Sequence, residues 1–85
     1  MKPEQLREVI ADNVHARRKS LGLSLVRLGE AVEVSHARIS QLEHARGSVP
    51  CDLLAKIAEA LDTEPSVLVT PFAFASKKKS LAHSA

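Results

Sequence analysis

Apolar positions recur every three or four residues along most of this chain, with polar residues between them, the period of helices that each bury one face. Leu6, Val9, Ile10, Val14 and Leu21 form one such stripe and predict a long first helix. Pro3 suits its opening turn, where a missing amide costs nothing. Gly22 suits its stop, because glycine enters the left-handed region without strain. Leu25, Leu28 and Val32 repeat at the same spacing in a second helix, and Val34, Ile39 and Leu42 anchor a third. The run CDLLAKIAEALD makes a fourth, with Leu53, Leu54, Ile57, Ala58 and Leu61 as its buried set. Glu64-Pro65 opens a short fifth bearing Val67, Leu68 and Val69, and Thr70-Pro71 ends it. The expected fold class is all-α.

The second and third helices carry the most information. Ser24 and Ser35 each precede an apolar repeat and can accept a hydrogen bond from the free amides of the turn that follows. The helices are therefore placed at about 24–32 and 35–43, with only Glu33 and Val34 between Val32 and Ser35. Two helices joined so closely cross at a steep angle, the geometry of a helix-turn-helix. The third helix then carries an outward face of His36, Ala37, Ser40 and Gln41. Those side chains can reach base edges in a DNA major groove.

Eighty-five residues make one small domain with a thin core margin, where a partner subunit often helps. No apolar run approaches the length of a membrane span, and the N-terminus lacks a secretory core, so a cytoplasmic location is expected. The single cysteine, Cys51, excludes an internal disulfide and is read as structural. The histidines at 15, 36, 44 and 83 are scattered, so no metal and no cofactor are expected. No paired carboxylates, activated nucleophile or cofactor loop points to an enzyme. Net charge is only +2, but its placement is uneven. Arg17, Arg18, Lys19 and Arg27 form a basic strip without an acid, while most acids lie at Glu4–Asp12 and Asp52–Glu64. Phosphate binding uses such a one-sided surface, though on charge alone a solvated mixed face is the simpler reading.

Val14 to Val69 resembles the Cro/CI-type helix-turn-helix domain of the XRE family of repressors. The similar residues are LGLS at 21–24, Leu28, the VS at 34–35, ISQLE at 39–43, Pro50 and LLAKIAEAL at 53–61, about two-thirds of the chain. The resemblance implies a five-helix, lambda-repressor-like bundle that binds double-stranded DNA as a homodimer on a two-fold operator and regulates transcription. It carries base reading to His36, Ala37 and Gln41, and phosphate contact to Ser24, Leu25, Arg38, His44 and Arg46. It carries an internal ion pair between the first and third helices to Arg18 and Glu43. Three positions depart from the family: Leu25 replaces a glutamine, and Glu33 and Ala45 replace glycines. A left-handed residue with a side chain at Glu33 costs on the order of 1 kcal/mol.

Two arginines add an argument of their own. Arg27 and Arg38 each stand three residues after a capping serine, where a capping box would place an acid. A cation there opposes the helix dipole, so its repetition points to an external anion such as a DNA phosphate. The alternative is that each head swings into water. The phosphate-binding set is thus Ser24, Arg27, Ser35, Arg38, Ser40, His44 and Arg46. His15 reads as a solvated helix residue.

The DNA-binding domain is placed at 1–70 and a C-terminal tail at 71–85, flexible from Ser76 to Ser84 and basic at Lys77–Lys79. Phe72 and Phe74, the only aromatics, either pack back on the domain or lie across a partner subunit. The two-fold contact is assigned to Val49, Pro65, Val67, Leu68, Phe72 and Phe74. The rival reading is a protein-interaction module or antitoxin, binding a toxin or co-regulator through Leu25, Val26 and Phe72–Phe74. The basic strip argues against it.

Overall fold

The computed structural model describes residues 1–74 and contains five helices and no strand among them. They are α1 (Pro3–Ser20), α2 (Leu25–Val32), α3 (His36–Glu43), α4 (Cys51–Ala60) and α5 (Pro65–Leu68). Pro3 takes the first turn of α1, and the Lys2 amide donates to Gln5 Oε1 at 2.8 Å. Ser24 and Ser35 stand just outside α2 and α3 as their caps. At the start of α4 the cap is Pro50, and Cys51 is an exposed first-turn residue.

Four helices end in the same way. Gly22, Glu33, Ala45 and Asp62 all have positive φ, between 56° and 73°. In each case the next amide bonds back across the last turn: Leu23 to Arg18, Val34 to Gly29, Arg46 to Gln41 and Thr63 to Ala58. This satisfies carbonyls that a helix end would otherwise strand. Only Gly22 does so without a Cβ, so three of the four stops carry backbone strain.

α2 and α3 pack on each other, α1 lies against α3 and α5, and α4 lies against α2 and α5. Val14, Leu28, Val32, Ile39, Leu42, Ile57, Leu61 and Leu68 are fully enclosed at their meeting point. The expected α1 stripe is shorter than its periodicity suggests. Leu6 is 38% and Leu21 42% exposed. Leu6 lies one turn before Ile10, where α1 first reaches the core, and Leu21 is already the C-cap, turning toward Gly22.

One buried polar residue ties α1 to the segment that follows α5. Asn13 is wholly buried, and its Nδ2 donates to the carbonyls of Leu68 and Thr70, each at 2.9 Å. Its Oδ1 accepts the Phe74 amide at 3.2 Å. The expected flexible stretch from Ser76 and the lysines at 77–79 lie outside the described residues.

Candidate nucleic-acid interface

The interface is organised by the turn between α2 and α3. Ser24 Oγ accepts the Arg27 amide at 3.0 Å, and Ser35 Oγ accepts the Arg38 amide at 3.1 Å. Glu33 takes the left-handed conformation, with φ 64° and ψ 38°, and reverses the chain in one residue. Gly29 makes that reversal fit. A Cβ there would stand 2.6 Å from the Val34 carbonyl oxygen and 3.3 Å from the His36 amide nitrogen. Apolar periodicity and capping residues do not single out Gly29. Its signal was available: a glycine inside a helical repeat marks a close backbone approach.

The helical period then divides α3. Ile39 and Leu42 point into the core and are buried. His36, Ala37, Gln41 and, just past the helix end, His44 lie on the other side and are exposed; Ser40 between them is half-buried. His44 Nδ1 lies 2.8 Å from the Ser40 carbonyl, so that nitrogen carries a proton and donates there, leaving Nε2 turned to solvent. The side chains at 36, 37 and 41 thus form one solvent-facing patch that can donate, accept and make an apolar contact.

Charge is arranged to leave that patch free of an exposed acid. Arg18 binds both carboxylate oxygens of Glu43, through Nε at 2.6 Å and Nη2 at 2.9 Å. Its Nη1 donates to the Leu23 carbonyl at 2.7 Å, so the same guanidinium fixes the loop leading into α2. His15 completes the group with Nδ1 2.8 Å from Glu43 Oε1, which makes that nitrogen the protonated one. His15 is therefore a partner of α3 as well as a solvated residue. Burial pushes the Glu43 carboxyl up, but the hydrogen bonds from Arg18 and His15 and their charges outweigh it and hold the group below its ordinary value.

The basic strip is narrower than the sequence suggests. Arg17 turns away to α4, donating to the Leu61 carbonyl at 2.9 Å with its guanidinium 5.4 Å above the Phe74 ring. Arg18 is consumed by Glu43. Lys19 and Arg27 remain exposed. Arg38 does not stand free in water: its Nη2 donates to the Ser48 carbonyl at 2.6 Å. Arg46 is exposed between two residues of positive φ, Ala45 and Gly47. Ser24 and Ser35 are exposed as well.

Of the residues assigned to a two-fold contact, Leu68 is corrected. It is 0% exposed and belongs to this protomer's own core, because Asn13 draws its carbonyl onto α1. Phe74 packs back on the domain, half-buried against the core and beneath Arg17. Val49 and Val67 are half-buried, whereas Pro65 is exposed and Phe72 is 68% exposed. Among the described residues no helix is long and apolar enough to cross a membrane, and no cluster of His, Cys, Asp or Glu could hold a metal ion.

The family model for HTH_3, helix-turn-helix, matches residues 14–68. A search of curated proteins gave no match. Among solved structures, the clp gene regulator ClgR from Corynebacterium glutamicum is 29% identical with a TM-score of 0.75, over 93% of this chain and 81% of that one. A hypothetical transcription factor, NHTF, from Neisseria is 25% identical with a TM-score of 0.75, over 96% and 90%. An HTH_3 family transcriptional regulator from Vibrio cholerae is 30% identical with a TM-score of 0.72, over 98% of this chain and 43% of that one.

Proposed function

The chain belongs to the HTH_3 helix-turn-helix family of DNA-binding transcriptional regulators, and from that premise we propose that it is a repressor that reads a palindromic operator as a homodimer. One observation supports this reading above the rest. The outward face of α3 presents His36, Ala37 and Gln41, while the acid at the end of that helix is neutralised from within by Arg18. His36 and Gln41 would hydrogen-bond base edges, and Ala37 would meet a thymine methyl. Ser24, Arg27, Ser35, Ser40, His44 and Arg46 would meet phosphates on either side. Val49, Pro65, Val67 and Phe72 remain the candidates for the two-fold contact. A regulator of this kind would work in the cytoplasm, without cofactor and without enzymatic chemistry.

The test is selection from random duplex DNA by the full chain. The expected product is an inverted repeat whose half-sites are about one helical turn apart. Gln41→Ala and His36→Ala should each relax preference at one or two positions, by about 1–3 kcal/mol of discrimination. Arg46→Gln should weaken all sequences alike and flatten the salt dependence by about one contact. Retention of every fragment equally, with no enriched sequence, removes the reading.

A second reading keeps one observation in its favour. Of the residues assigned to it, Val26 is 49% and Phe72 68% exposed, while the basic strip has lost Arg17 and Arg18 to internal bonds. A protein partner such as a toxin or co-regulator would dock there. Val26→Lys separates the two readings, since it would abolish capture of a protein partner and leave sequence selection on DNA intact.

A further inference from the structure

Arg38 lies in the first turn of α3 but off the face shared by His36, Ala37 and Gln41. The residue is half-buried and lines a groove with Val34, Pro50 and Leu53, between the turn and α4, with its guanidinium bond at the exposed rim. Nη2 meets the Ser48 carbonyl at 2.6 Å, a short charge-assisted bond ten residues along the chain. That bond closes a ring containing the rest of α3 and the loop that follows. Within the loop, Ala45 and Gly47 have φ of 60° and 74°, with the exposed Arg46 between them. The near side of the loop is fixed by α3 itself, through the amides of Ala45 and Arg46 on the carbonyls of Leu42 and Gln41. The bond from Arg38 fixes the far side.

Resting on the DNA-binding reading above, we propose that Arg38 is a positioning residue: bound to the Ser48 carbonyl, it sets the loop so that Arg46 meets a DNA phosphate, and it touches no DNA itself. The cation at this third helical position then has an anchor inside the protein, the backbone carbonyl of Ser48. Arg27, at the equivalent place in α2, is exposed and keeps its role toward phosphate. The two arginines, alike in sequence, divide into one that binds DNA and one that shapes the loop.

A double-mutant cycle on the full chain tests this. Binding to the duplex selected by the wild-type protein is measured from 0.05 to about 0.3 M salt for Arg38→Met, Arg46→Gln and the pair. Each phosphate contact contributes about 0.9 to the slope of log affinity against log salt. Arg46→Gln should lose about one contact. Arg38→Met should lose about as much, by releasing the loop, and the pair should lose no more than Arg46→Gln alone. Amide exchange at Arg46–Ser48 in the free protein should speed in Arg38→Met while the helices stay protected, a change that a contact with DNA would not produce. Additive losses of about two contacts, or an unchanged loop exchange, overturn the proposal. Arg38→Gln, shorter but polar, serves the same cycle if the methionine variant does not fold. A wild-type protein that selects no duplex removes the DNA reading and this inference together, whereas selection with additive losses removes the inference alone.

Discussion

Arg18 grips Glu43 through both carboxylate oxygens, at 2.6 and 2.9 Å, with the two side chains only 8% and 5% exposed. The pair joins α1 to the last residue of α3. Removing Arg18 leaves the buried Glu43 carboxylate with His15 as its remaining partner, and breaking a buried pair in this way costs about 3–5 kcal/mol at most. Arg18→Met should therefore lower stability by roughly 3 kcal/mol in urea titrations. The double change Arg18→Met, Glu43→Leu should lose less than the sum of its parts.

The same pair gives stability a defined response to acid. The folded Glu43 carboxyl lies below its ordinary value of 4.5. The unfolded chain consequently binds the proton more readily, and stability rises with pH across that interval. The contribution is complete above about 4.5 and is lost as pH falls through the lowered folded value. Urea midpoints taken from pH 7 to pH 3 should fall more steeply in the wild type than in Glu43→Gln, which has no carboxyl to protonate at that site.

Gly29 should resist even the smallest substitution. Alanine in a helix interior gains about 0.8–1 kcal/mol over glycine. Here the added methyl would sit 2.6 Å from the Val34 carbonyl oxygen, a backbone atom that cannot swing aside. Such overpacking costs about 1–3 kcal/mol, so Gly29→Ala should be a net loss. A melting temperature several degrees lower is expected for a domain of this size.

Glycine should help at two other places. Glu33 and Ala45 hold φ of 64° and 60°. Each left-handed side chain costs roughly 1–2 kcal/mol, against about 0.4–1 kcal/mol for the added freedom of an unfolded glycine. Glu33→Gly and Ala45→Gly should each stabilise the domain by about 0.5–1 kcal/mol. The exposed contact of Glu33 with Lys56, at 3.8 Å, contributes little to set against this. Thermal unfolding of the two variants, singly and combined, checks the prediction.

Asn13 is the latch of the C-terminal segment. Asn13→Leu would leave the Leu68 and Thr70 carbonyls and the Phe74 amide without their partner. The buried Leu68 carbonyl left unpaired costs about 1–3 kcal/mol, and the two partly buried groups add less each. The variant should lose about 2 kcal/mol. Cleavage by added protease should then appear after residue 68 before it appears in α2 or α3.

The sequence by itself determined what depends on neighbours along the chain. Helical spacing, the capping serines at 24 and 35 and the two-residue gap between Val32 and Ser35 are local features, and they placed α2 and α3 and the outward face of His36, Ala37 and Gln41. Tertiary structure decided where the long side chains end. Arg17, Arg18, Arg27 and Arg38 look alike in sequence, yet one covers Phe74, one is buried on Glu43, one is exposed and one holds the Ser48 carbonyl. The same holds for Asn13, Gly29 and His15, whose partners lie on other helices or past a turn. A flexible side chain selects its partner from groups brought near by packing, so that selection exists only once the helices have met.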